Sequence, residues 1–523
     1  MLNYRMLQRI FFSCLLCIGI SAAQAQSNKA LTYANPVLPL DYSDPDAIRV
    51  GDAYYMTASS FNHVPGLPIL KSYDLVHWQL IGHALTSLTP VEHFNTVRHG
   101  GGVWAPSIRF HNNQFYIYYP DPDFGIYVVT AKNIAGPWSA PVLVEAGKGL
   151  IDPCPLWDTD GKNYLVHAYA GSRAGIKSIL VIKKLNAQAN KVVDAGKLIY
   201  DGHELDPTIE GPKFYKRNGW YYIFAPAGGV ATGWQTVLRS KNIYGPYERR
   251  VVMEQGVTNT NGPHQGAYVQ TPTGESWFLH FQDKEAYGRI VHLQPMVWKN
   301  DWPIIGVQPS DAPIGNPVSS YPVPGGKNIL LSEALNQNLL WQWQANPLPH
   351  WKKNLNGVDR FYAVTKLDST QNLWNVPNLY MQKIPADSFE FTVKLRFKPN
   401  QLGEKAGLIL FGSSYAYIGF EKTVAGNQLI FTRCLLAEKN GKEEKQVLAQ
   451  NVSSNIYLHV SVKSGAIASF SYSADGVNKT TATTNFVAKP GKWVGAKMGI
   501  FCSGERITND AGFVELLSTS LKK

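Results

Sequence analysis

TIEGPKFYKRNGWYYIFA, Thr208 to Ala225, is the stretch whose reading decides the fold. A carboxylate, Glu210, leads a short strand; a Lys-Arg-Asn-Gly turn reverses it; an aromatic-rich strand follows. The same phrase recurs four times with a different leading residue: DPDAIRVGDAYYM from Asp44, WAPSIRFHNNQFYIYY from Trp104, DPCPLWDTDGKNYLV from Asp152 and HQGAYVQTPTGESWFLHF from His264. In each, a polar turn separates the lead from a pair: Tyr54-Tyr55, Phe115-Tyr116, Asn163-Tyr164, Tyr221-Tyr222 or Trp277-Phe278. Lead to second pair member spans 11 to 14 residues. The unit recurs roughly every 50–60 residues, the range of propeller blades. Blade symmetry would set all five leads on innermost strands, facing one axis. Three of them are carboxylates.

Around this array the chain reads as all-β. Its 523 residues exceed one core, so two or more domains are expected. Aromatic content of 12%, with 45 Gly and 32 Pro, suits many short strands joined by tight turns. The net charge is +11, but no Lys/Arg cluster interleaves with aromatics, so no nucleic acid partner is expected. An acidic polysaccharide would be attracted by such a charge; simple solubility explains it equally well.

Residues 1–25 read as a secretory signal, predicting a periplasmic or secreted protein. Arg5 and Arg9 precede the apolar run Ile10 to Ile20, and Ala23-Gln24-Ala25 makes a small-x-small cleavage site. The run is too short for a transmembrane segment. The mature chain keeps Cys154, Cys434 and Cys502, too few for a disulfide scaffold. Cys434 and Cys502 could pair; buried free thiols are the simpler reading.

Residues 26–307 are expected to form a five-bladed β-propeller. SYDLVHW (Ser72–Trp78), AKNIAGPW (Ala131–Trp138) and SKNIYGPY (Ser240–Tyr247) look like one edge turn built three times. Residues 308–328, rich in Pro, Gly and Ser, read as a linker over the surface. Residues 329–523 carry alternating strands such as FEFTVKLRF, QLIFTR and YLHVSVK, which predict a β-sandwich. The sequons at Asn451 and Asn478 are read as chance.

Two carboxylates across a pocket are what glycosidic hydrolysis needs, one to protonate the leaving oxygen and one to activate water or attack. A third nearby would raise the pKa of the acid. A single Asp-Pro is equally well a turn cap; three carboxylates in register across separate repeats are harder to assign to chance.

On these residues the chain resembles glycoside hydrolase family 43. That resemblance implies a five-bladed, inverting enzyme active on arabinose- and xylose-containing polysaccharides. NPVLPLDYSDPDAIRVGDAYYMTASSF is similar to the opening of the family's β-xylosidases and implies Asp44 as general base. LIDPCPLWDTDGK implies Asp152 as the residue that tunes and orients the acid, and IEGPKFYKRNGWYY implies Glu210 as general acid. Glu204 and Asp206 are held in reserve as the acid; Asp41, Asp46, Asp158 and Asp160 fall in turns or out of register.

Four further positions resemble family sites. Phe61 matches a pocket wall, Trp104 a pocket floor, and Arg289 an arginine that binds sugar hydroxyls. His264 matches a histidine beneath the site that touches calcium in some relatives. The resemblance requires no cofactor and allows a structural calcium near His264. LLWQWQANPLPHW and KWVGAKMGIFC resemble the concanavalin-like sandwich of the exo-acting members, where an aromatic closes the pocket; Trp493 takes that place, with Phe501 second. Phe61, Trp104 and His264 could instead be core, and Arg289 a surface ion pair. Two departures, Asn62-His63-Val64 after Phe61 and Cys154-Pro155 after Asp152, put sugar preference in question.

The expected function is therefore an exo-glycosidase cutting terminal arabinofuranosyl or xylosyl units from plant cell-wall saccharides. An endo-arabinanase with an open groove, or an inactive sugar-binding propeller, are the alternatives.

Overall fold

A computed structural model of the chain describes residues 31–523 except 310, 333, 365–371 and 506–508. The expected leader, 1–25, lies outside the described residues.

The Asn-Gly turn of the opening stretch shows how sequence builds a blade. Arg217 pairs with Trp220, leaving a two-residue loop. Asn218 and Gly219 take φ of 51° and 73°, as a type I′ hairpin requires. Asn112-Asn113 and Asn300-Asp301 turn in the same way between His111 and Gln114 and between Lys299 and Trp302.

Strands from Asp46 to Ile305 form five antiparallel four-stranded sheets, each in chain order. Their first strands are Asp46–Val50, Ser107–His111, Leu150–Trp157, Lys213–Arg217 and His264–Gln270. The fifth packs back against the first, which closes a five-bladed propeller. Leu38 exchanges backbone hydrogen bonds with Val291 at 3.2 and 3.0 Å, and Thr32–Ala34 pairs with Ser320–Pro322. The segment after the blades is therefore stitched down: Val307 and Asn316 bond each other, and Val318 N–H donates to Gln294 Oε1 at 2.7 Å.

The three edge turns share one device. Trp78 Nε1 donates to Leu75 O, Trp138 Nε1 to Ile134 O, and the Tyr247 hydroxyl to Ile243 O, at 2.7, 3.2 and 2.7 Å.

The second domain is a sandwich of two seven-stranded antiparallel sheets. Phe389–Lys398 shows why: its residues alternate between buried and half-buried, placing Phe391, Val393, Leu395 and Phe397 inward. The same core takes in Ala286, Tyr287 and Ile290 of the fifth blade. Tyr287 Oη accepts from Ala466 N–H at 2.8 Å, and Val64 exchanges backbone bonds with Trp343 at 3.0 and 2.7 Å. The two domains thus share apolar interior and backbone hydrogen bonds, the paired bridge at Val64 and Trp343 among them.

That bridge corrects one reading. Asn62-His63-Val64 turns toward the sandwich, not the pocket: Asn62 Nδ2 donates to Gln344 O at 2.7 Å, and all three residues are buried. Cys154, Cys434 and Cys502 are free and buried, so no Cys434–Cys502 bond is present.

Candidate active site

The leads do converge. Trp104 N–H donates to Pro120 O at 3.0 Å and Glu210 N–H to Pro226 O at 3.1 Å, so two blades hold their leads by the same bond. Blades three and five use a register break, between Ile151 and Cys154 and between His264 and Gly266. A bulge of this kind re-aims the side chain it frees. A cavity of about 300 Å³ opens there, lined by Asp44, Phe61, Trp104, Asp152, Glu210, Arg289 and Trp493.

Backbone strain gathers on this wall. Asp44, Phe61, Asp152, Thr208 and Trp493 have φ of 55°, 51°, 57°, 61° and 63°. Such left-handed positions cost about 1–3 kcal/mol each and persist where the surroundings over-determine them.

Asp44 is buried and its carboxylate is held as an acceptor. Ser59 Oγ and Ser43 Oγ donate to Oδ2 at 2.5 and 2.8 Å, and Arg289 Nη1 donates to Oδ1 at 3.1 Å. Arg289 is itself buried, not a surface ion pair, and Nη1 also reaches Ser43 Oγ at 2.7 Å. Its Nε is buried without a hydrogen-bond partner, and Asp283 Oδ2 lies 3.9 Å away.

Asp152 accepts the Gly211 N–H at 2.7 Å, which ties it to the residue after Glu210. Burial first, then the neighbouring Glu210 and Asp44, push its carboxyl well above the usual carboxylate range. A buried carboxyl beside like charges holds its proton more readily than an exposed one.

His264 does not line the cavity, as a sugar-binding residue would. It starts an inner strand and is buried behind Glu210, where Nε2 meets Oε1 at 2.9 Å. Its Nδ1 has no hydrogen-bond partner. Among the described residues no group of three or more His, Cys, Asp or Glu side chains is arranged to hold a metal ion. A calcium near His264 would therefore have to be held by backbone, amide or water oxygens rather than by a cluster of carboxylates.

Trp493 comes from the sandwich and is 44% exposed. The Arg289 guanidinium lies 5.7 Å from its ring centroid, and a Cβ on Gly100 would sit 3.0 Å from its Cδ1. Phe501, the second choice, is buried edge-on to Tyr417 in the sandwich core and closes nothing.

The reserve acids are excluded by their partners. Asp206 is fully buried but takes Arg249 through Nε and Nη2 at 2.6 and 2.7 Å, plus Tyr200, Thr236 and Trp234. Burial opposes it, yet those donors hold its carboxyl below the usual range. Glu204 is exposed and outside the cavity wall. Cys154 also turns away from the pocket. Its Sγ accepts Arg109 Nη2 at 2.8 Å and Phe214 N–H at 3.1 Å, and Arg109 bonds Asp46 at 2.6 Å. This ties four blades behind the site, so the departure there is axial packing.

Sequence reading missed Gln265, Tyr169 and Lys177 in the wall, and Ser43 and Ser59 on Asp44. Gln265 and Ser43 adjoin leads directly, which was a usable signal; the others had none.

Residues 33–303 match the model of glycosyl hydrolases family 43. The chain belongs to that family. Residues 334–515 match its companion, the beta xylosidase C-terminal concanavalin A-like domain. A protein of Xylanibacter ruminicola provisionally named a beta-xylosidase is 38% identical over 476 residues, covering 90% of this chain and 86% of its own. A non-reducing end alpha-L-arabinofuranosidase of Bacteroides ovatus is 30% identical over 424 residues, 76% of each chain. The crystal structure of a xylan beta-1,4-xylosidase from Bacillus halodurans superposes with a TM-score of 0.80 at 22% identity, over 94% of this chain and 100% of that one. The family-43 chain is thus a glycoside hydrolase with a five-bladed propeller and a β-sandwich. Among the described residues no helix is long and apolar enough to cross a membrane.

Proposed function

We propose that this glycoside hydrolase is an exo-acting, inverting enzyme that removes terminal α-L-arabinofuranosyl or β-D-xylosyl units from plant cell-wall saccharides. The observation that carries the reading is that Asp44, Asp152 and Glu210 line one cavity whose wall is completed by Trp493 of the other domain. A pocket closed in that way suits a chain end and disfavours the open groove of an endo-arabinanase. Three carboxyls held in one site favour catalysis over sugar binding alone. One relative is named a beta-xylosidase and another an alpha-L-arabinofuranosidase, so the proposal includes both sugars.

In this reading Asp44 takes the proton of a water that attacks the anomeric carbon, while Glu210 gives its proton to the departing oxygen. The C–O bond breaks as the new one forms, and the configuration inverts. Asp152 holds the Glu210 segment through Gly211. Arg289 orients Asp44 and forms part of the sugar pocket's wall.

Release of p-nitrophenol from the α-L-arabinofuranoside and the β-D-xyloside, measured side by side, tests the reading. Turnover of neither overturns it, and internal cleavage of linear arabinan with no release from chain ends would establish the endo alternative. Export through the 1–25 leader belongs to the proposal. Mass spectrometry of the mature protein should find its N-terminus at Gln26, and an intact leader would refute export.

A further inference from the structure

We propose that Asp41 is a positioning residue that fixes the Trp493 wall against Arg289, and so sets the pocket for the exo-glycosidase reading on which this rests. Asp41 is 6% exposed and lies three residues before Asp44. Each carboxylate oxygen takes one backbone donor from a different part of the chain. Arg289 N–H gives to Oδ1 at 2.9 Å, and Gly495 N–H gives to Oδ2 at 3.0 Å. Arg289 holds Asp44, and Gly495 lies two residues beyond Trp493. One carboxylate therefore joins the candidate base's partner to the aromatic wall.

The contact is built for closeness. A Cβ on Gly288 would sit 2.4 Å from Asp41 Cγ, and one on Gly495 would sit 2.7 Å from Gly288 N. Only glycine at both places lets the three segments meet. Asp41 also anchors the domains from its main chain: Lys383 of the sandwich donates its ammonium to Asp41 O and covers the Tyr42 ring at 3.8 Å. Burial lowers the Lys383 pKa to about 8, and the Asp41 charge opposes that fall. An amide at this position keeps the shape but turns one acceptor into a donor that faces a backbone N–H.

The test is Asp41→Asn in the full chain, with two readouts. Kinetics on whichever aryl glycoside the wild type cleaves should show kcat/KM down by about tenfold to a hundredfold, the scale of a sub-ångström to ångström misplacement. The loss should be less than multiplicative with Trp493→Ala, because both changes act on one wall. Oxidative footprinting by mass spectrometry should show Trp493 reacting faster in the variant; it requires no turnover and stays informative if the wild type cleaves neither glycoside. That last outcome would sink the glycosidase reading while leaving Trp493 placement measurable. If Asp41→Asn does not fold, Gly495→Ala keeps Asp41 and its charge, pushes the same loop away, and should give the same two changes. A lower melting temperature with unaltered kinetics and unaltered Trp493 footprint overturns the proposal.

Discussion

His264 Nε2 lies 2.9 Å from Glu210 Oε1, and the imidazole is wholly buried while the carboxyl keeps a quarter of its surface open. The ring thus fixes the carboxyl from the protein side and leaves the other side to substrate. His264→Ala should let Glu210 swing. The fall in kcat should be larger for a poor leaving group such as an alcohol than for dinitrophenolate, since only the former needs a placed proton. Equal losses for both would mean that the histidine supports the fold alone.

Asp44→Ala and Glu210→Ala should each remove nearly all turnover, on the order of 10²–10⁴-fold for a lost acid or base. Dinitrophenolate as leaving group should partly restore Glu210→Ala and leave Asp44→Ala dead. Inversion requires the two carboxyls about 6.5–9.5 Å apart with water between them. NMR of the first-formed sugar checks this directly, and a retained anomer would refute the assignment.

Asp152→Asn should act on pH in two ways. The carboxyl's folded pKa is raised above its unfolded value, about 3.9, by burial and then by Glu210. Between those values the folded state binds more protons than the unfolded one. Its stabilising contribution is therefore complete below about pH 3.9 and is lost as pH rises through the folded value. The Asn variant should lack this loss, so its melting temperature relative to wild type should improve from acid toward neutral pH. Its pH–rate profile should change as well, because a titrating carboxyl has been removed from the pocket wall. An unchanged profile would leave Asp152 without the assigned role.

Trp493→Ala should weaken sugar binding by about 1–3 kcal/mol, borrowing the scale of aromatic–base stacking. Because the ring is 44% exposed, the melting temperature should barely move. Ending the chain near Pro322 is a different matter. Ala286, Tyr287 and Ile290 lie in the sandwich core and would meet water, so the isolated propeller should melt lower and aggregate. Calorimetry of the two proteins separates wall from foundation.

The propeller was legible because one hairpin is written five times, with turn residues such as Asn218-Gly219 that permit few backbones. The sandwich was legible through strict alternation, as in Phe389–Lys398. Convergence of the leads followed from symmetry alone. What escaped were contacts between segments with no shared period: Asp41 with Gly495, Asn62 with Gln344, Cys154 with Arg109. Asp41 looked like a turn acid because its donors are backbone N–H groups more than two hundred positions away, which leave no mark on composition. Phe501 and Trp493 share one short motif, but Phe501 lies in the buried strand Lys497–Ser503 and Trp493 in the loop before it.

The pairing of Thr32–Ala34 with Ser320–Pro322, and of Asp41 with Gly495, sets a schedule for synthesis. A ribosome must release Pro322 before the ring can be latched and Gly495 before the pocket has its last wall. At about 5–20 residues per second the second event trails the first by roughly ten to thirty seconds. A nascent chain therefore carries a latched but unfinished pocket over that interval, and the last wall arrives only with Gly495.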